Sequence, residues 1–301
     1  MAHKPLLAAT TIAFVLMLVL NAYHGANGDM RSAAYAHLNL LTPADAYFSI
    51  FGPIYLLLIV FLVREWLSPN TTIPGMRNLY LLFLLSCPFN MGYMQFMVAG
   101  YVHWAFACIF IMWLLLFAAY LIVEDSVRPV LFTTLLFSTN NEHEFASTSL
   151  ADFLWIRMPF TVYWAWTCAA ATIALNVSVE ELGIHAMPIY IFWCGLWVLA
   201  NIIILIGTGD APFAFIALWA LVGIAQGSLQ RANRLVPANP NYVEHYAIYA
   251  MASAGSLIFT GLFLFLMLHK WWRGGAKFPW SAEGTQLPSK ATIQTNDKLV
   301  A

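Results

Sequence analysis

The chain has 301 residues, of which 61% are hydrophobic and 9% charged, and its mean hydropathy is +0.74. A water-soluble domain carries about 25% charged residues, so the composition excludes one and indicates a multi-pass membrane protein. A net charge of −1 excludes the basic footprint of a nucleic-acid-binding protein. The four cysteines (Cys87, Cys108, Cys168, Cys194) sit inside apolar stretches without CxxC spacing and read as packed thiols.

About 20 apolar residues cross a bilayer core as a helix. By that measure the chain predicts eight spans, at about 5–24, 44–67, 78–98, 101–123, 152–177, 186–206, 211–231 and 243–269. The expected fold is an all-α polytopic transmembrane bundle. The first span follows Lys4 as a signal peptide would, but no small-x-small cleavage site comes after it, so a retained helix is expected. An outer loop is expected over 25–43. In the second span, Thr42 is placed to cap a helix begun by Pro43, Gly52 to allow close approach of a neighbouring backbone, and Pro53 to kink the helix. The third span carries Ser86, Asn90, Tyr93 and Met97 on one stripe, near Pro88. Asn90 in hydrocarbon requires a hydrogen-bond partner on another helix or on a ligand.

A polar loop is expected over 124–150, ahead of the fifth span. That span holds Arg157 near its start, and at helical spacing Arg157, Thr161, Trp164, Cys168 and Thr172 share a stripe. A cation there is costly unless paired or able to reach the interface. Two readings are open: Arg157 pairs with a ligand carboxylate, or it snorkels to the headgroups. Tyr163, Trp164 and Trp166 at mid-depth combine apolar faces with donors and suit flat aromatic ligands such as tetrapyrroles. The link at 207–210 is short enough to force the sixth and seventh spans into a hairpin. The small residues in Trp219–Gln226 read as close helix packing.

Eight crossings put Lys4, Arg64, Arg77, Arg128, Lys270, Arg273, Lys277, Lys290 and Lys298 on one side, against Arg31, Arg231 and Arg234 on the other. The positive-inside rule then makes both termini cytoplasmic, with 273–301 a disordered tail. The sequons at Asn70 and Asn176 fall on opposite sides, so both cannot be glycosylated. Glu142-His143-Glu144 lacks a second histidine at ligand spacing, so no metal site is expected. His24, His103 and His245 all fall near outer helix ends. No nucleophile triad, P-loop or carboxylate pair is present, so no enzyme is expected, and no acidic residue lies deep in a helix to couple protons to transport.

The stretches TPADAYFSIFGPIYLLL (42–58), SCPFNMGY (86–93), IRMPFTVYWAWTCAAATIALNVS (156–178) and WALVGIA (219–225) occur in order. In them the chain resembles the TspO/MBR (translocator protein, tryptophan-rich sensory protein) superfamily, most nearly its longer relatives with extra C-terminal helices. It departs from that pattern at Phe51 and Tyr93, where the family usually has tryptophan. The long spacing from Trp166 to Asn176 leaves either Trp164 or Trp166 as the equivalent position. The resemblance implies a five-helix core over 1–178, three additional helices over 179–272 and the tail over 273–301. It also implies a receptor or sensor binding a hydrophobic aromatic ligand, a tetrapyrrole or lipid, between the second, third and fifth spans. The ligand-binding residues expected are Tyr55, Asn90, Tyr93, Arg157, Trp164 and Trp166. No obligatory cofactor is implied, and porphyrin or haem is a candidate ligand. Expected partners are the bilayer, a hydrophobic small molecule and a second copy of the chain. A small-molecule transporter, with broken helices at Pro53, Pro88 and Pro159, and an accessory subunit of a membrane complex are the alternatives.

Overall fold

The computed structural model describes residues 4–70, 73–127, 146–235 and 240–274. The 142–144 triplet, most of the 124–150 loop and the tail beyond 274 lie outside the described residues. Among the described residues, eight helical segments are long and apolar enough to cross a membrane, so the chain is an integral, multi-pass, all-α membrane protein. The first is α1 (Lys4–Ala26). The expected outer loop after it instead contains a short helix, α2 (Asp29–Ala36). A 3₁₀ turn (Asp45–Ile50) then leads into α3 (Phe51–Leu67), followed by α4 (Met76–Val98) and α5 (Val102–Ser126). Next comes a composite of α6 (Leu150–Asp152), a π turn (Phe153–Arg157) and α7 (Met158–Glu181). The last three are α8 (Met187–Thr208), α9 (Ala211–Ala232) and α10 (Pro240–Gly274). The near end of the bundle is the one where α1 starts, and the far end is the opposite one.

Two of the spans are interior. In the α6–α7 composite and in α9, 61% of the most apolar window is buried, against 28–33% in the other six. The outer helices turn one apolar stripe inward and leave the other to lipid: Ile12, Leu16 and Val19 of α1 are exposed while Phe14 and Met17 are buried. Four rings lock α1, α3, α4 and α7 together. Phe160 meets Phe61 and Phe83 edge-on with centroids 5.0 and 5.6 Å apart, and Phe14 lies 5.7 Å from Phe83. Edge-to-face geometry at these distances adds about 0.5–1.5 kcal/mol per pair beyond the burial itself.

α9 is interior because the extended segment before α3 lies along it. Ala44 donates its N–H to the Gly223 carbonyl (3.0 Å), and the Trp219 indole donates to the Tyr47 carbonyl (3.0 Å). Ser228 donates to the Leu40 carbonyl (3.0 Å), and Asn39 reaches the Ile173 carbonyl of α7 (3.1 Å). The small residues of α9 make this approach possible. A Cβ on Gly227 would stand 2.6 Å from the Thr42 oxygen, and one on Gly223 2.8 Å from the Tyr47 ring. Packing therefore runs across residue 178, with α9 against both α7 and α10.

The same contact corrects the expected start of the second span. With Ala44 N–H given to α9, residues 42–44 stay extended, and Thr42 accepts from Asn39 N–H (3.1 Å) in a local turn rather than capping a helix. The helix starts as 3₁₀ at Asp45, and Pro53 falls in the first turn of α3, where a missing N–H costs little. Gly52 approaches nothing: no atom lies within 4 Å of a Cβ built there.

These two glycines give opposed predictions. Gly227→Ala forces a carbon into backbone atoms and is expected to destabilise by about 1–3 kcal/mol. Gly52→Ala, in open space on a helix, is expected to be neutral or stabilising by up to about 1 kcal/mol. Thermal unfolding of the purified variants in detergent compares them directly.

Candidate functional site

The fifth span begins with a π turn. Pro159 withdraws the N–H that would close on the Trp155 carbonyl, and the turn ahead of it opens to the wider i→i+5 pattern. Asp152 before the turn and Arg157 at its end thereby serve separate polar networks at the near end.

Arg157 is wholly buried. Its Nε donates to Asp210 Oδ2 (2.9 Å), and its Nη2 contacts both Asp210 (2.7 Å) and Glu124. Its Nη1 donates to the Val127 carbonyl (2.5 Å). Thr161 adds a hydrogen bond to Asp210 (3.3 Å), whose other oxygen accepts the Phe213 N–H at the start of α9 (3.4 Å). Arg157 thus pairs with carboxylates of its own chain, and neither a ligand carboxylate nor the headgroups takes its donors. A wholly buried guanidinium and carboxylate, both desolvated, hold together only because every donor meets an acceptor. The second network joins Arg64 to Glu65 and Asp152 (2.6 Å each), with Tyr80 donating to Glu65, Asn70 N–H to Glu65 (3.0 Å) and Ser147 to Asp152 (2.6 Å). Glu65 and Asp210 are both fully buried. Neither lies deep in a helix, as the sequence indicated, yet both are withdrawn from water at helix ends.

Trp164 and Trp166 are two residues apart and so point about 200° apart on the helix. The structure separates them accordingly. Trp164 stacks on Tyr120 (4.4 Å) and lies 5.2 and 5.3 Å from Phe117 and Phe213, forming an aromatic layer next to the Arg157 cluster. Trp166 meets Phe51 and Phe48 edge-on (5.7 and 6.3 Å), and Phe51 stacks on Tyr55 (5.9 Å).

Tyr55 in turn belongs to a hydrogen-bonded chain toward the far half. Asn21 Nδ2 donates to Tyr55 Oη (2.7 Å) and to Asn90 Oδ1 (2.8 Å), and Asn90 Nδ2 donates to Tyr163 Oη (3.3 Å). The Tyr163 hydroxyl lies against the sulfurs of Met17 (3.9 Å) and Met112 (3.6 Å). Asn21 Oδ1 and Trp166 Nε1 are buried without a partner, as is Trp164 Nε1 on the opposite face. Tyr93 is half-buried and packs against the hydrophobic core without joining the chain. Of the six residues expected, Tyr55, Asn90 and Trp166 therefore come together, while Arg157 and Trp164 belong to the other cluster.

Sequence reasoning did not assign Asn21, Glu124 or Asp210 to a site, and named Tyr163 only among the aromatic residues of the fifth span. An asparagine late in α1 facing Asn90, and two acids at the same helix ends as Arg157, were the available signals. The far-end histidines do not converge: His24 bonds Asp29 (2.9 Å) and His103 bonds Ser178 (2.7 Å), while His245 Nδ1 has no partner. Asn176 is buried, with its amide on the Thr172 carbonyl (2.8 Å). Among the described residues, no cluster of three metal-ligating side chains occurs.

A family model described as TSPO-like protein matches residues 7–263. The chain belongs to the TSPO-like family. The match runs through all five helices of the expected core and through those after it. No curated protein and no solved structure matches it.

Breaking the ion pairs separates their two carboxylates. Asp210→Asn leaves a buried guanidinium short of its fully buried counter-ion and is expected to cost about 3–5 kcal/mol. Glu124→Gln, at a side chain 26% exposed, is expected to cost less, and denaturant titration in detergent ranks the two. At the far end, His185 lies between Glu244 (3.0 Å) and Glu180 (3.2 Å), and the Glu244 hydrogen bond chiefly raises its pKa above the ordinary value. A raised folded-state pKa stabilises fully below the unfolded value of about 6.5, and the gain is lost as pH rises through the folded value. The melting-temperature advantage of the native chain over His185→Gln should therefore be larger at about pH 6 than at about pH 9, and should shrink in high salt.

Proposed function

We propose that this TSPO-like membrane protein is a receptor that binds a hydrophobic aromatic guest, a tetrapyrrole or lipid, at the hydrogen-bonded cluster between α1, α3, α4 and α7. The observation that supports this reading most is the pair of orphaned polar atoms, Asn21 Oδ1 and Trp166 Nε1, both buried. A buried unpartnered donor or acceptor costs about 1–3 kcal/mol, and a ligand with a complementary polar edge recovers that cost. Asn21, Tyr55, Asn90 and Tyr163 give the guest a hydrogen-bonding floor, and Trp166 and Phe51 give it flat walls.

This reading departs from the six-residue expectation by leaving Arg157 and Trp164 outside the pocket, because the arginine's donors are already taken. It also favours a receptor over an ion-coupled transporter. Glu65 and Asp210, the fully buried carboxylates, are committed to Arg64 and Arg157. The asymmetry of lysine and arginine supports placing the near end, and with it both termini, in the cytoplasm. The cluster of Asn21, Tyr55 and Asn90 then lies toward the outer half of the bilayer.

Titration with protoporphyrin IX, followed by its Soret absorbance, tests the proposal without relying on tryptophan emission. Saturable binding is expected, weakened at least tenfold by Asn21→Ala or Trp166→Phe and unchanged by Trp164→Phe. Equal affinities across all four proteins would overturn the assignment of the cluster.

A further inference from the structure

Three arginines of the described residues are partly or wholly withdrawn from solvent, and they are not treated alike. Arg64 contacts two carboxylates, Glu65 and Asp152, and Arg157 contacts two, Asp210 and Glu124. Arg231, at the far end of α9, contacts none. Its Nη2 donates to the carbonyls of Leu40 (3.2 Å) and Thr42 (2.9 Å) and to Ser228 Oγ (3.3 Å), while its buried Nε has no partner. Neutral oxygens orient a guanidinium but leave its charge uncompensated, and an uncompensated buried charge is costly.

The surroundings add positive charge. Arg234, exposed, comes next at the end of the same helix. His245 of α10, the helix packed along α9, is within electrostatic range of Arg231 and has its own buried nitrogen, Nδ1, without a partner. The nearest acid in sequence, Glu244, is taken by His185 (3.0 Å). Two orphaned polar nitrogens from two neighbouring helices therefore accompany, at the far end of α9, a guanidinium that contacts no carboxylate among the described residues.

We propose that Arg231 and His245 form an anion site that takes a phosphate oxygen, the guanidinium Nε and the imidazole Nδ1 each donating to it. Phospholipid headgroups and free phosphate share that chemistry. The site is separate from the cluster around Asn21, and it stands whether or not that cluster binds a ligand.

The test uses the full chain in an uncharged detergent, with melting temperature read against three probes: inorganic phosphate, dihexanoyl phosphatidic acid and uncharged dihexanoylglycerol. A saturable rise with a phosphate-bearing probe and none with dihexanoylglycerol is expected. Response to phosphatidic acid alone identifies a headgroup site, and response to both phosphate probes a site for the phosphate group itself. Arg231→Gln and His245→Phe should each weaken the half-saturating concentration at least tenfold, while Arg77→Gln, at an exposed near-end arginine, should not. Should Arg231→Gln fail to fold, His245→Phe decides. No saturable response to either phosphate probe, or an undiminished response in His245→Phe, would overturn the proposal.

Discussion

The joining of α5, α7 and the α8–α9 link at the near end depends on one buried cation. Arg157 reaches from the start of α7 to the end of α5 through Glu124 and the Val127 carbonyl, and to the α8–α9 link through Asp210. In hydrocarbon there is little hydrophobic drive between helices, so association rests on packing and polar contacts. A charge on α7 that can be satisfied only by two other chain segments specifies the arrangement of all three, because any other docking leaves it unpaired. Asp210 also accepts the first-turn N–H of α9 at Phe213, so the ion pair fixes where the most buried hairpin helix begins.

α7 then acts as a partition. It is buried on all sides, with Trp164, Tyr163 and Trp166 on different faces. One face completes the aromatic layer over the ion pair, and the other packs against the cluster of Asn21, Tyr55 and Asn90. The 39–47 segment, laid on the glycines of α9, brings Tyr47 in and sets the position from which Phe51 and Tyr55 approach Trp166. Packing at Gly227, against the Thr42 carbonyl that Arg231 also contacts, therefore bears on the geometry of the proposed site.

Hydropathy alone placed all eight spans within a few residues, since the length of an apolar run is a local property. The resemblance carried by 42–58, 86–93, 156–178 and 219–225 pointed to the right family. What stayed hidden was relational. Thr42 looked like a helix cap because nothing in the sequence shows that Ala44 N–H goes to Gly223. Arg157 looked like a ligand contact because Asp210 lies 53 residues away. The π turn could not be read from apolar periodicity, although Pro159 was its visible cause. Trp164 and Trp166 were grouped by adjacency in sequence, whereas their opposed directions on the helix put them in different rooms.

A double-mutant cycle between Arg157 and Asp210, using Arg157→Met and Asp210→Leu with unfolding free energies measured in detergent, tests the central claim most directly. If the two charges exist for each other, the double variant recovers much of the loss of either single one, with a coupling of about 2–3 kcal/mol. Losses that simply add, with coupling under about 0.5 kcal/mol, would contradict it. The arginine would then be serving a partner outside this chain.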